Sequence, residues 1–453
     1  MGPGAPRAGT STIAALATPP GRSAVAVVRL SGPDVRAALA ALGVRPGRPR
    51  QAVLRTLRDD ADGQPLDRAL VLWFPAPHSY TGEDCAELHL HGSRFVIQAA
   101  LDRLAQAGVR LAEPGEFTRR AFEAGKLDLA QAEAVADLVE AETRAQARQA
   151  LAQLDGELSG RQHVWREALV EIRARLEALV DFPDEDIDAG LDLARARLQS
   201  LAAELAAAAG ELGRGRAIRE GWRVAIVGAP NAGKSTLLNA LAGRDAAIVT
   251  EIPGTTRDVI EVPIELDGYR ALLADMAGLR DTDDPVERQG VARARAWAAD
   301  ADARLWVVDR SAAYGWDAGS DLLKLGDLCI LNKADRPADT AASGAAAIAC
   351  RLGLQMMQVT LNANGGEVVR EWLASAAHKA LESQDFPAAT QIRHARSLGD
   401  AHEALHRALA VLADPELAAE DVRLASRALA RITGEVGAED VLDKVFSSFC
   451  IGK

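Results

Sequence analysis

The chain has 453 residues, which at about 150 residues per domain predicts roughly three domains rather than one compact core. It contains 52 lysines and arginines and 64 aspartates and glutamates. The resulting formal net charge of -12 excludes nucleic-acid binding through bulk positive charge, so any RNA contact must be local. With 48% hydrophobic and 26% charged residues the chain is globular rather than disordered, and only 4% aromatic residues predicts a core of Ala, Leu and Val.

The N-terminal part, from Thr12 to about Phe117, mixes short β-branched runs with turn residues and one predicted helix, Phe95 to Ala107. This mixture predicts a small α+β domain. Its predicted strands are Ala24 to Leu30, Ala69 to Phe74 and Ala86 to Gly92.

From Arg119 to about Leu212 the composition shifts to Ala, Leu, Glu, Gln and Arg without strand-like runs. This shift predicts a series of long amphipathic helices, because these residues are helix formers and no period-two pattern competes with them. We expect the helices to break at Gly156, at Gly160 and across Phe182 to Gly190.

Strand patterning returns from Trp222 to about Thr360, in alternation with helical stretches, as in a parallel α/β domain. Helical composition reappears from about Arg393 to Val445. We therefore predict an all-α domain that is interrupted by an inserted α/β domain. The predicted boundaries are 1–118 for the N-terminal domain, 119–215 for the first helical segment, 216–380 for the inserted domain and 381–453 for the second helical segment.

The four cysteines are spread over the chain without close pairing, and no apolar signal segment precedes them. We therefore expect a reducing compartment, the cytoplasm. No run of about 18 consecutive apolar residues is present, so we expect no membrane span.

The clearest motif lies between Trp222 and Gly243. A strand pattern runs into Gly228, and after four intervening residues Gly233-Lys234-Ser235 opens a helix, which is a P-loop in its required context. Its glycines let backbone amides turn toward phosphate oxygens, and Lys234 reaches the outer phosphates. Ser235 is the predicted Mg²⁺ ligand.

The nucleotide base is indicated by Asn332-Lys333-x-Asp335, about 100 residues after the P-loop. The Asp335 carboxylate can accept from the N1 and N2 hydrogens of guanine, whereas adenine offers no such pair of donors. We therefore predict GTP rather than ATP.

Two switch elements lie between these motifs. Thr256, within Gly254 to Asp258, is the natural second hydroxyl ligand of Mg²⁺. Two strands are predicted to turn at Asp267-Gly268 and to end in Asp275, from which a carboxylate reaches the metal through water. The Gly278 amide can donate to the γ-phosphate, and Met276 replaces the threonine usual in this motif.

Leu279 occupies the position at which a Ras-like enzyme carries the glutamine that orients the attacking water. Another group must therefore position this water. The candidates from the residues alone are the carboxylates that follow, namely Asp281, Asp283, Asp284 and Glu287.

Several long strings stand out beside the GTPase motifs: TIAALATPPGR, PHSYTGEDCAELHLHG, PGEFTRRAFEAGKLDLAQAEAVADL and CIGK. In these strings the chain resembles the tRNA uridine 5-carboxymethylaminomethyl modification GTPase family (MnmE, also called TrmE). The resemblance extends over essentially the full length. It implies a folate-binding N-terminal domain that dimerises, a helical domain made of two segments, and an inserted Ras-like G domain.

The resemblance also implies cofactors and partners. These are GTP, Mg²⁺, K⁺, a 5-formyltetrahydrofolate-type folate, an FAD-containing partner protein in a heterotetramer, and tRNA. Glu287 matches the glutamate that orients the catalytic water. The K⁺ positions match Asn231, Thr250, Ile252 and Thr255, and the folate positions match Arg29, Glu87, Lys126 and Lys453.

Motifs and resemblance together give one set of predicted GTP-binding residues: Asn231, Ala232, Gly233, Lys234, Ser235, Thr236, Thr250, Glu251, Ile252, Pro253, Gly254, Thr255, Thr256, Asp275, Met276, Ala277, Gly278, Asn332, Lys333 and Asp335. Cys450 is a candidate catalytic thiol, and a structural thiol is the alternative. The loop that contacts guanine is degenerate, with Thr360 or Asn362 in place of the usual serine.

Two other functions stay open. A regulatory GTPase switch in ribosome assembly would need no modification chemistry, and folate binding would argue against it. A P-loop ATPase is opposed by the Asn332 to Asp335 motif.

Overall fold

The computed structural model describes residues 11–58, 63–181, 187–243, 260–276, 285–361, 364–383, 385–437, 439–447, 449 and 452, of which 187–189, 285–289, 439–441 and 444 are described by their backbone alone. The chain divides into two compact units. The first comprises Met1–Ala136, Gln153–Ala196 and Glu403–Lys453, and the second comprises Asp137–Ala152 and Arg197–His402.

The N-terminal region of the first unit forms a six-stranded sheet in the order β3-β4-β5-β2-β1-β6, antiparallel except for the parallel pair β1 and β6. One face is buried under two helices because apolar residues alternate along the strands, as Val28, Leu30 and Leu88 do. The elements are β1 Ile13–Leu16, β2 Ser23–Ser31, α1 Val35–Ala41, β3 Val53–Arg58, β4 Pro65–Phe74, β5 Cys85–Gly92, α2 Arg94–Gln106 and β6 Arg110–Leu111.

The remainder of the first unit is helical, and helices from distant parts of the chain pack together there. Leu129 and Ala132 share a core with Phe446 and Phe449, and the Gln162 amide donates to the Leu429 carbonyl at 2.9 Å. The helices that lie wholly or partly in this unit are α3 Glu116–Glu123, α4 Leu129–Glu140, α5 Arg144–Leu154, α6 Glu157–Asp181, α7 Ile187–Gly210, α13 Ile392–Ala410, α14 Pro415–Thr433 and α15 Glu439–Ser447.

The second unit contains the other sheet, in the order β12-β11-β10-β7-β9-β8, parallel except for the β8–β9 hairpin. Its central strands are almost continuously apolar because helices cover both faces. Its elements are α8 Leu212–Glu220, β7 Trp222–Val227, α9 Lys234–Ala242, β8 Glu261–Leu266, β9 Tyr269–Asp275, α10 Pro285–Asp300, β10 Ala303–Asp309, β11 Leu328–Asn332, α11 Thr340–Leu352, β12 Gln355–Gln358 and α12 Gly365–Leu381.

The predicted fold class is confirmed, with α+β, all-α and parallel α/β parts in one chain. Two details were wrong. The N-terminal domain holds the additional helix α1, and Gly160 lies inside α6 rather than at a break. An interior glycine costs a helix about 1 kcal/mol, which α6, packed on α14, tolerates. Among the described residues, no helix has the length and apolarity needed to cross a membrane.

Candidate functional site

The phosphate-binding loop joins β7 to α9 and requires unusual backbone conformations. Gly228 has a φ of +140°, and a Cβ there would lie 2.1 Å from the Val307 carbonyl oxygen, so only glycine fits between β7 and β10. Asn231 and Gly233 follow at φ values of +61° and +111°. The loop thus turns into the N-terminus of α9, where free amides and the helix dipole favour an anion.

Lys234 and Ser235 are the first two residues of α9, and their side chains bond to different parts of the site. Lys234 is buried, and its ammonium donates to the Ala229 carbonyl at 3.0 Å, inside the loop. The Ser235 hydroxyl donates to Oδ2 of Asp275, at the end of β9, at 2.7 Å. Thr236 follows, exposed, in the first turn of α9.

The other oxygen of Asp275, Oδ1, is shielded from solvent and receives no hydrogen bond from a described residue. A buried acceptor without a partner indicates a missing water or ion. A serine hydroxyl beside such a carboxylate fits Mg²⁺, which prefers oxygen ligands and retains several waters. Met276 donates its amide to the Ile226 carbonyl at 3.0 Å and lies buried in the core, so the methionine packs where the motif usually has threonine.

Asn332, at the end of β11, connects two loops of this site. Its side-chain amide donates to the Ala232 carbonyl at 2.7 Å, and its Oδ1 accepts from the Leu361 amide at 3.2 Å. Asn332 therefore fixes the phosphate loop against the loop after β12, where Thr360 donates to the Asp335 carboxylate at 3.4 Å.

Lys333 has a positive φ of +60° and forms an ion pair with Asp309, the last residue of β10, at 2.5 Å. Ser311 donates to the other oxygen of Asp309 through its hydroxyl and its amide. Burial by itself raises the pKa of Asp309, but the Lys333 and Ser311 hydrogen bonds outweigh it, so this pKa lies below its ordinary value. Asp309 was not among the residues predicted from the sequence. The signal that could have found it is an acidic residue at the end of the apolar strand β10, which neighbours the strand that precedes Lys333.

Several predicted residues lie outside the described part of the chain. Glu287 belongs to the first turn of α10, whose backbone alone is described there. The others are Thr250, Glu251, Ile252, Pro253, Gly254, Thr255, Thr256, Ala277, Gly278, Asn362, Cys450 and Lys453.

A second candidate site is a cavity of about 200 Å³ on the face of the N-terminal sheet opposite α1 and α2. Arg29 and Glu87, paired across β2 and β5, lie in its wall with their side chains 3.0 Å apart. Tyr80, Ser79, Cys85 and Phe74 are among its other lining residues.

One carboxylate and two aromatic rings contact the Arg29 guanidinium. It donates to Glu87, and it lies 5.5 Å from the Tyr80 ring centroid and 5.8 Å from the Phe117 ring centroid. Tyr80 shares a hydrogen bond of 2.9 Å with Thr118, and burial raises the pKa of Tyr80. These cation–π contacts fix the arginine without consuming all its N–H donors. The sequence analysis missed Tyr80 and Phe117, since neither stands near Arg29 in the chain.

The other two predicted folate residues are Lys126 and Lys453. Lys453 lies outside the described residues, but its neighbour Gly452 is described. Lys126 is exposed, with its Cε near Gly82, and is not one of the residues that line the cavity. Gly452 lies against the backbone of Leu16 and Ala17, at the end of β1. The structure thus brings Arg29 and Glu87 together and leaves Lys126 outside the cavity wall.

A phosphate loop between a buried strand and a helix, a carboxylate beside its serine, and an Asn-Lys-x-Asp end of a neighbouring strand together define a P-loop GTPase. Residues 129–450 match the MnmE helical domain family, and residues 12–126 match the family described as the GTP-binding protein TrmE N-terminus.

Curated relatives agree along the whole chain. The tRNA modification GTPases MnmE of Phenylobacterium zucineum and Caulobacter vibrioides are each 56% identical over 447 residues, covering 98% of this chain and 100% of theirs. The FeoB G-domain of Methanococcus jannaschii is 22% identical over 34% of this chain and 97% of its own, with a TM-score of 0.25. The chain belongs to the MnmE (TrmE) family and is a GTPase that acts in tRNA modification.

Proposed function

We propose that this GTPase is activated by potassium and, with an FAD-containing flavoprotein partner, installs a carboxymethylaminomethyl-type group on the wobble uridine of certain tRNAs. A 5-formyltetrahydrofolate-type folate supplies the one-carbon unit. The protein acts in the cytoplasm as a homodimer that joins its partner in a heterotetramer. Residues 1–118 bind folate and dimerise, 216–380 form the G domain, and 119–215 with 381–453 form the helical domain.

One observation carries the proposal: the same chain contains a nucleotide site and a separate cavity walled by a paired arginine and glutamate. A GTPase that acts only as a switch has no use for the second site. Glu87, paired with Arg29, can accept from the N–H donors of a pterin ring, and Lys126 and Lys453 supply positive charge for the acidic part of the folate. Cys450 is the candidate thiol near the modified base.

In the G domain, the loop amides and Lys234 hold the phosphates, and Ser235 with Thr256 holds Mg²⁺. Asp275, whose Oδ1 accepts no hydrogen bond from a described residue, would help Ser235 to hold the metal. Bound Mg²⁺ neutralises charge that develops on the phosphate oxygens.

Leu279 cannot orient the attacking water, so this role falls to Glu287. Charge compensation falls to a potassium ion held by Asn231 with Thr250, Ile252 and Thr255, in place of an arginine finger. Hydrolysis opens and closes the paired G domains rather than supplying the chemistry on the base.

The two sites are tested together by mass spectrometry of tRNA nucleosides from a strain that lacks this protein. Complementation with the unchanged chain should restore the modified wobble uridine, whereas Lys234→Ala and Glu87→Gln should each fail. Unchanged tRNA nucleosides in the deletion strain, with altered ribosomal subunit profiles, would instead indicate a switch in ribosome assembly.

Potassium is tested by steady-state GTP hydrolysis in potassium and sodium chloride at matched ionic strength. Turnover should be faster in potassium, and Asn231→Ala should remove the difference. Equal rates in both salts would mean that another side chain compensates the charge.

A further inference from the structure

Four described non-glycine residues have a positive φ, and three of them have an evident reason for it. Asn231 and Lys333 belong to the nucleotide site, and Asp267 precedes Gly268 in the β8–β9 hairpin. The fourth is Arg50, at +60°. Such conformations cost free energy in residues with a side chain and concentrate at functional sites.

The local turn makes arginine the unexpected choice. The Gln51 amide donates to the Arg48 carbonyl at 3.3 Å, with Pro49 second and Arg50 third in the turn. This is the pattern of a type II turn, whose third position favours glycine. Arg50 is also held by its own amide, which donates to the Trp73 carbonyl at 2.8 Å. The turn therefore favours glycine at this position, so we expect the arginine side chain to have a role of its own.

That side chain lines the cavity of the N-terminal sheet. Its guanidinium lies 5.6 Å from the Phe74 ring centroid and donates to the His78 carbonyl at 2.7 Å. Within the described part of the chain it has no carboxylate partner, whereas the charge of Arg29 is matched by Glu87. Arg50 thus holds an uncompensated positive charge in a fixed position.

Arg29 lies on β2, whereas Arg50 lies in the loop before β3 and contacts the ring of Phe74 on β4. Phe74 pairs with Cys85, and Glu87 pairs with Arg29, two residues further along β5. Two residues of strand span about 6.6 Å. A cavity of about 200 Å³ is smaller than the roughly 300–1,000 Å³ of sites that enclose a drug-sized molecule. It can enclose a bicyclic ring, while a longer ligand must cross the rim.

We propose that Arg50 binds a carboxylate of the acidic tail of the ligand whose ring lies beside Arg29 and Glu87. The ligand class is a pterin that carries an acidic tail. This inference rests on the proposed folate function and adds a tail-binding residue to it.

The test compares two ligands on the full chain by isothermal titration calorimetry. 5-Formyltetrahydrofolate has the acidic tail, and 5-formyl-6-methyltetrahydropterin lacks it. Arg50→Gly should weaken folate binding about tenfold or more, the loss expected for one charge-assisted hydrogen bond, and should change binding of the pterin less than about twofold. Because glycine suits the turn, its thermal unfolding midpoint should stay unchanged or rise.

Arg50→Gln, which keeps a side chain on the same backbone, should reproduce the selective loss. Arg45→Gln, an exposed arginine of the same loop, is the matched control and should bind both ligands normally. Wild-type folate affinity in both Arg50 variants, or equal losses for both ligands, would overturn the tail contact while leaving the folate proposal intact. Failure of the unchanged chain to bind either compound would overturn both.

Discussion

The nucleotide site and the cavity of the N-terminal sheet hold their charged groups by different means. In the nucleotide site, the charged groups are placed mainly by the backbone. Gly228 and Gly233 adopt conformations that other residues cannot take, and the Asn332 side chain joins two loops by bonding their main-chain atoms. In the cavity, side chains hold each other, as Arg29 is fixed by Glu87 and two aromatic rings.

This difference predicts where each site is vulnerable. A backbone site should lose affinity when a glycine gains a side chain, and should tolerate removal of a group that acts only in the chemical step. A side-chain site should respond to single charge changes, because each removal leaves a partner uncompensated. The predictions below test this contrast, from the largest expected effect to the smallest.

The largest effect is expected for Glu287→Ala. If Glu287 orients the attacking water, kcat should fall by about 10² to 10⁴. GTP affinity should survive, because binding depends on the phosphate loop and the Asn332 to Asp335 motif. Single-turnover hydrolysis in saturating potassium separates chemistry from GDP release.

The neighbouring variants Asp281→Ala, Asp283→Ala and Asp284→Ala are the matched controls and should hydrolyse GTP within a few-fold of the unchanged chain. A near-normal single-turnover rate for Glu287→Ala, with a loss in one of the aspartate variants, would move the catalytic role to that aspartate.

The nucleotide site was the more predictable of the two because its motifs are contiguous. Lys234 and Ser235 follow from one string, and the structure places Ser235 beside Asp275 as the strand order of such a domain requires. Asp309 was missed because its pairing with Lys333 depends on β10 and β11 being neighbours, which no local pattern states.

The cavity could not be assembled from the residues alone. Arg29, Glu87 and Tyr80 come from β2, β5 and the loop between β4 and β5, and each is an ordinary residue in its own segment. Resemblance supplied Arg29 and Glu87 but not the aromatic contacts of Arg29.

The strand β3 was not predicted either. Its sequence, VLRTLR, mixes apolar and polar residues without a clear period of two, because β3 is an edge strand.

Base recognition gives the next effect. Asp335→Asn should weaken GTP binding by about 10- to 150-fold, since a hydrogen bond to a charged group contributes about 1.5–3 kcal/mol. Preference should shift toward xanthosine triphosphate, whose ring has an acceptor where guanine has an amino donor. Competition binding with both nucleotides measures the shift, and unchanged affinity for both would exclude Asp335 from base recognition.

A glycine exchange tests the backbone argument directly. In Gly233→Ala the new Cβ would lie 2.3 Å from Nδ2 of Asn332, at a φ of +111°. Strain of this kind costs about 1–3 kcal/mol, so GTP affinity should fall by about 5- to 150-fold. Gly160→Ala is the control, because Gly160 lies inside α6 with nothing within 4 Å of a new Cβ. Normal GTP binding by Gly233→Ala would show that the loop does not depend on its backbone conformation.

The smallest effect is a few-fold protection of Cys85 by folate, which is measured against two reference cysteines, Cys329 and Cys350. Cys329 is fully buried in β11, and burial raises the pKa of its thiol to about 12. At pH 8 only about one thiol in 10⁴ is then a thiolate, so iodoacetamide should label Cys329 far more slowly than the exposed Cys350. Its labelling rate should rise about tenfold for each pH unit, since the thiolate fraction rises with pH below the pKa.

Cys85, which lines the cavity, should react at an intermediate rate that 5-formyltetrahydrofolate lowers a few-fold and GTP leaves unchanged. Peptide mass spectrometry over a time course follows each thiol separately, with Cys350 as the internal reference for reagent activity. If bound folate leaves the Cys85 rate unchanged while GTP lowers it, then the ligand of the cavity is not folate and the two sites are not separate. If Cys329 reacts as fast as Cys350, the sheet behind the nucleotide site opens far more often than its packing implies.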